Sequence, residues 1–178
     1  MSDADTAADS APWPDAAPET TVCPGCGAVL VTVPGPAAGR AGASAGCAAL
    51  FAVTVRGLQE EAVQDVQTAA LLQLATDAYD AQHLPAGQPA AAPLRLCLAL
   101  ERDVDLRRAG ALAERVAEVA PRLTTRPARW TTTVADLAAD LDVVDLPALV
   151  RAWADAVWTD WAPAHPALRG AADLVQGS

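Results

Sequence analysis

Two cysteines three positions apart across a Pro-Gly turn, Cys23-Pro24-Gly25-Cys26-Gly27, constrain this chain more than any other feature. A turn this tight brings both sulfurs within reach of one cation, and a thiolate pair at this spacing is half of a tetrahedral zinc site. Backbone N–H groups around the turn point at the sulfurs and favour the thiolate form that binds metal. A fold built on such a knuckle draws further ligands from elsewhere in the chain.

Cys47 is the third candidate. It follows Gly42-Ala43-Ser44-Ala45-Gly46, a flexible approach that places it in the first turn of a helix, where the helix dipole stabilises a thiolate. For the fourth ligand there are two candidates. Cys97 shares an apolar stripe with Leu94 and Leu98, where a lone thiol is ordinarily packing. His83 ends a long helix just before Leu84-Pro85, off the core stripe, with Asp80 three residues earlier to orient the imidazole. His83 is the better choice, although a histidine at a helix C-terminus also interacts favourably with the dipole alone. The expectation is one zinc per chain held by Cys23, Cys26, Cys47 and His83. It requires three sulfurs within about 4 Å of one another and an imidazole within about 6 Å of them.

Redox chemistry is the rival use of a Cys-x-x-Cys pair. That use places the pair at the start of a helix after a strand, in a βαβ context. Gly27 and the β-branched residues that follow Cys26 oppose a helix there, so zinc is preferred.

With 178 residues the chain has room for one domain with a proper core. Lys, Ile and Asn are absent and all twelve basic residues are Arg, which points to a GC-rich coding sequence. Ala abundance is then partly a codon effect and is not evidence for helix. Residues 1–21 hold Asp3, Asp5, Asp9, Asp15 and Glu19 and no base, so half of the formal charge of −10 lies in this segment. It mixes Ala, Pro, Asp and Thr without apolar periodicity and reads as a disordered acidic tail, with Trp13 as its one aromatic. The body, residues 22–175, reads as a single zinc-stapled helical domain and is itself acidic. Its longest basic run is Arg107-Arg108, which argues against nucleic acid and against an anionic membrane surface. No apolar run approaches the ~20 residues of a bilayer span, and a basic-then-apolar signal is lacking at the N-terminus, so a cytoplasmic protein is expected. In a reducing compartment four cysteines are ligands or buried thiols rather than disulfides.

The fold class expected is all-α: a bundle of five or six helices with an N-terminal zinc-knuckle hairpin over Val22–Val33. Ser44 caps a first helix that Gly57 ends. A long helix runs from Glu60 to Gln82, and two more carry Leu94–Glu101 and Leu106–Val116. Pro121–Trp130 is an extended connection. Thr133 with Asp136 forms a capping box, and Asp145 caps a last long helix with Pro147 in its first turn. Leu149, Trp153, Val157 and Trp161 make its buried stripe. Trp153, Trp158 and Trp161 read as core pieces rather than a ligand cage.

Several segments together resemble a known family: CPGCGA (Cys23–Ala28), GASAGCAALF (Gly42–Phe51), LATDAYDAQH (Leu74–His83), LCLALER (Leu96–Arg102) and VRAWADAVWTDWAPAH (Val150–His165). They are similar to an uncharacterised actinobacterial family, domain of unknown function 5946, across roughly Val22–Leu168. The resemblance implies a ligand set of the three cysteines and His83. It also implies that relatives often carry further histidines at positions occupied here by Leu72, Ala92 and Ala164, so a second metal centre, if relatives have one, is absent from this chain. Two functional readings follow. One is a non-enzymatic binding or regulatory module stapled by structural zinc, with an unknown protein or small-molecule partner. The other is a metal-dependent hydrolase or transferase with a site near His83, Asp80 and His165.

Overall fold

The computed structural model describes residues 18–34, 42–102, 104, 109–142 and 144–177. Trp13, Leu106 and most of the acidic tail lie outside the described residues. The described residues are mostly helical, with eight α-helices after one two-stranded hairpin. In the hairpin, β1 (Thr20–Val22) pairs antiparallel with β2 (Val29–Val31), Thr20 opposite Val31 and Val22 opposite Val29. The Cys-Pro-Gly-Cys turn is its loop, closed by Gly27 N–H to the Cys23 carbonyl at 2.9 Å and Cys23 N–H to the Ala28 carbonyl at 2.8 Å.

Helix α1 (Ala45–Thr54) begins where Ser44 accepts a hydrogen bond from the Cys47 N–H at 3.2 Å, as the sequence indicates. It stops earlier than expected. Val55 is its last cap and Gly57 lies inside the next short helix, α2 (Arg56–Glu61). The long helix expected from Glu60 is interrupted too: α3 (Val66–Gln82) starts afresh at Asp65, whose carboxylate caps the Thr68 N–H at 2.7 Å. Val63 and Val66, which fit the apolar pattern, are 84% and 55% exposed, so no packing holds a helix through this stretch.

Helix α3 is the central rod. It packs on α7 (Leu146–Asp160), on α4 (Ala91–Leu100) and on α2. Leu71, Leu74, Ala75 and Ala78 of α3, Val150, Trp153, Ala154 and Val157 of α7, and Leu94, Leu96 and Leu98 of α4 are all buried in the core that these helices share. The small residues at 75 and 78 let the helices approach closely, and Trp153 fills the remaining volume. Helix α5 (Ala109–Val119) leads to the extended connection, which is tied back by an antiparallel bridge between Pro89 and Arg122 and by the Ala90 N–H on the Pro121 carbonyl at 2.9 Å. The capping box of Thr133 and Asp136 opens α6 (Val134–Ala139), and Asp145 caps α7 with Pro147 in the first turn, both as expected.

An additional helix, α8 (His165–Gln176), follows a 3₁₀ turn at Ala162–Ala164. Its Leu168, Ala171, Ala172 and Val175 are buried, and the helix packs on α4 and α5. The helix count therefore exceeds the five or six expected, because α2 separates from α3 and α8 extends the bundle.

Candidate metal centre

The hairpin turn, the first turn of α1 and the last residue beyond α3 meet at one point. Cys23 Sγ and Cys47 Sγ each lie 3.4 Å from His83 Nε2, and Cys26 Sγ lies 3.7 Å from Cys47 Sγ. Ligand atoms of all four residues fall within 4.8 Å of one another, and all four side chains are buried. A tetrahedron with metal–sulfur bonds of about 2.3 Å and a metal–nitrogen bond of about 2.05 Å has edges of about 3.8 Å (S–S) and about 3.6 Å (S–N). The observed separations match those edges. They are far longer than a disulfide bond of about 2.0 Å, and all four cysteines of the chain are free thiols.

Backbone groups aim Cys23 and His83. Ser44 N–H points at Cys23 Sγ at 3.4 Å. His83 sits just past the end of α3, and its Nδ1–H donates to the Tyr79 carbonyl at 2.7 Å. That bond fixes the tautomer: the Nε2 lone pair of the neutral ring faces the sulfurs, the state a metal ligand needs. The orienting partner is thus the Tyr79 carbonyl; the sequence pointed instead to the Asp80 carboxylate, but a carbonyl one helical turn back is already in line with the ring. The imidazole stacks on the Tyr79 ring at 4.1 Å, which stacks at 4.1 Å on Phe51 of α1. Tyr79 also donates its hydroxyl to Cys47 Sγ at 3.6 Å.

Two glycines make room for this packing. A Cβ on Gly25 would run into the His83 ring and stand 2.6 Å from the Gly42 carbonyl oxygen. Gly42, at φ +90°, crosses directly over the His83 backbone, where a side chain would meet the His83 carbonyl. On the other side of the histidine, buried Gln82 donates to the Thr132 carbonyl at 2.7 Å and accepts from Trp153 Nε1 at 3.2 Å, which pins the end of α3.

Three thiols packed together cannot titrate independently. The Cys23 thiol is held well below the usual thiol range, first by a hydrogen bond from Cys26 and then by one from Cys47. Cys47, donating to Cys23 and Cys26 and buried, is pushed far above it. Burial pulls His83 down, yet its contacts with Cys23 and Cys26 and the Tyr79 carbonyl outweigh burial and raise it to about 9. The four groups thus share their protons within one buried site. A divalent cation would displace the remaining protons and satisfy all four groups at once.

The other sequence candidates lie elsewhere. Cys97 is fully buried on α4, its Sγ 4.0 Å from Glu101 Oε2, and burial foremost pushes its thiol up to about 11. His165 stacks on Trp158 with ring centroids 3.9 Å apart, and its Nε2–H donates to the Trp158 carbonyl at 2.9 Å. A buried acid on α3 that the sequence reading above does not single out, Asp77, is ion-paired with Arg95 at 2.6 Å. Among the described residues, Cys23, Cys26, Cys47 and His83 form the one cluster of three or more such groups placed to share an ion.

The chain belongs to the family of unknown function DUF5946, which it matches over residues 21–162. No curated protein and no solved structure matches it. The matched region contains all four cluster residues and ends before α8, so that helix adds a buried face to a core whose remaining elements the family match spans. Of the positions where the resemblance implies histidine in relatives, Leu72 is half-buried on α3 and Ala92 is buried on α4. Both are packing positions here.

Proposed function

We propose that Cys23, Cys26, Cys47 and His83 hold one structural zinc ion and that the protein is a non-enzymatic binding or regulatory module. The observation that carries this reading is the set of separations among three buried sulfurs and one imidazole nitrogen, which fit the edges of a zinc tetrahedron. Three thiolates and one imidazole in tetrahedral array favour zinc over the harder divalent ions. Four protein ligands close the coordination sphere, and a closed sphere offers no position for a substrate or an activated water. The alternative, a metal-dependent hydrolase or transferase, needs such a position; the cluster does not include Asp80 or His165, its other required members.

The module binds a protein or small-molecule partner rather than nucleic acid or membrane, consistent with its acidic balance. No described helix is long and apolar enough to cross a membrane. Reduced thiols suit the cytoplasm, where we place the protein. Metal analysis with a count of reactive thiols tests the reading. Purified protein should contain one zinc per chain with three thiols protected until a chelator is added, and the chelated protein should melt at a lower temperature. Equal melting temperatures with and without zinc would refute it.

A further inference from the structure

Trp130–Thr132, the last residues of the connection between α5 and α6 before its cap, hold on to both halves of the metal centre. Trp130 Nε1–H donates to the Gly25 carbonyl at 3.0 Å, across 105 residues of chain. The Thr132 carbonyl accepts from Gln82, the neighbour of His83, at 2.7 Å. Between them, Thr131 N–H and Oγ1–H both donate to the Asp160 carboxylate at the end of α7, each at 2.7 Å. Three consecutive residues thus fasten the knuckle and the end of α3 to one point on α7. The knuckle gains from such a brace, because its hairpin has three residue pairs and leaves Val22, Val29 and Val31 exposed. A two-stranded hairpin is marginally stable at best by itself.

The Trp130 bond reaches further than the position of the turn. The Gly25 carbonyl belongs to the same planar peptide as the Cys26 N–H. That N–H donates in turn to the Cys23 sulfur. Indole N–H, carbonyl, amide N–H and sulfur therefore lie along one hydrogen-bonded chain, in which each donor polarises the next. The indole is itself held in place: its ring is partly buried and stands edge-on, at 6.1 Å, to the buried Trp161 that caps α7. The neighbouring Pro24 carbonyl also accepts a distant donor, Arg126 at 3.0 Å, but that bond is exposed to solvent.

We propose that Trp130 is a positioning residue of the metal centre: its indole N–H orients the Gly25–Cys26 peptide, keeps the Cys26 N–H on the Cys23 sulfur and holds the knuckle where it can share an ion with His83. The inference rests on the zinc reading above, and it names a residue outside the four-ligand cluster that governs the cluster's affinity. The competing account is that Trp130 packs on Trp161 and that its bond to Gly25 stitches the connection to the body with no bearing on the metal.

Trp130→Phe separates the two, since it keeps a ring against Trp161 and removes the N–H. Competition with a chromophoric chelator under reducing conditions measures zinc affinity in parent and variant. We expect the variant to bind zinc about tenfold or more weakly, the scale for groups that orient a metal ligand. Cobalt in place of zinc supplies a second signature. A Cys23 sulfur that has lost amide donation is richer in electrons, so the thiolate-to-cobalt charge-transfer band of Trp130→Phe should move to longer wavelength. A packing role would lower the melting temperature of the metal-free variant and leave affinity within about threefold and the band in place, and that result would overturn the proposal. A further measurement uses the parent protein alone. Coupling between two sites is reciprocal, so zinc should slow hydrogen exchange at the Trp130 indole N–H more than at that of Trp158, which is bonded to Glu101 at 3.1 Å away from the cluster. Equal slowing of both would overturn it as well. A parent protein that takes up no zinc would refute the zinc reading and this inference with it, whereas the other adverse results overturn this inference alone.

Discussion

Replacing Gly25 by alanine probes the metal centre at its tightest point. A Cβ there would stand 2.6 Å from the Gly42 carbonyl oxygen and 3.0 Å from His83 Cγ, and closer still to His83 Cδ2, whereas ordinary contact begins at 3.4 Å. Something must move by roughly an ångström, and each neighbour is held. The imidazole is stacked on Tyr79 and tied to its carbonyl at 2.7 Å. Gly42 is wedged against the His83 backbone. Metal–ligand distances tolerate only about 0.2 Å, so the shift breaks either the His83 contact or the knuckle geometry. Overpacking of this kind costs about 1–3 kcal/mol in stability. Losing one of four ligands should cost at least as much affinity as an altered outer-shell partner, so zinc binding should weaken about 100-fold or more. Competition with a chromophoric chelator under reducing conditions measures the affinity, and melting with and without zinc measures the coupling. Gly25→Ala protein that binds zinc within about threefold of the parent and melts at the same temperature would refute the packing argument.

His83→Ala should likewise weaken zinc binding by about 10–100-fold or more, whereas Cys97→Ala should cost about 1–2 kcal/mol of stability through lost packing and leave affinity intact; chelator competition and urea melts separate the two. Glu101 is held down to about 2, chiefly by hydrogen bonds from Arg169 and, after burial opposes them, from Trp158. Its stabilising contribution is therefore complete above the ordinary carboxyl value of 4.5 and is lost as the pH falls from there toward 2. Arg169 is well exposed, so solvent screening reduces the effect to about 1 kcal/mol, and Glu101→Gln should flatten stability between about pH 5 and pH 3 by about that amount in urea melts. Gly170 lies inside α8, and a Cβ added there would meet nothing within 4 Å, so Gly170→Ala should raise stability by about 0.5–1 kcal/mol, and a lower melting temperature would contradict the helix placement.

Much of the centre was legible from local chemistry. The Cys23–Cys26 spacing implies a turn whatever surrounds it, and Ser44 three residues before Cys47 marks a helix start that needs no tertiary partner. Thr133 with Asp136 and Asp145 with Pro147 are the same kind of signal, since a cap is satisfied within one turn of chain. Trp153 and Trp161 were recognisable as buried because so few other large side chains exist to fill a core. The helix α8 was also written in the sequence, in Leu168, Ala171, Ala172 and Val175 at helical spacing, but Pro163 just before it and His165-Pro166 at its start obscured the pattern.

Tertiary structure decided what local pattern could not. Val63 and Val66 continue an apolar period across the break between α2 and α3, and only the absence of a facing surface shows that the period buries nothing there. Asp80 and the Tyr79 carbonyl were both within reach of His83 along the helix; the ring takes the carbonyl because stacking on Tyr79, itself stacked on Phe51 from α1, sets its orientation. Residue types and spacings determined which four groups can bind a metal. Whether they meet within 4.8 Å depends on the knuckle and the segment before α1 both closing on His83, which the glycines at 25 and 42 permit through the side chains they lack. Convergence across 60 residues of chain, from Cys23 to His83, is a property of the packed core and of no local segment.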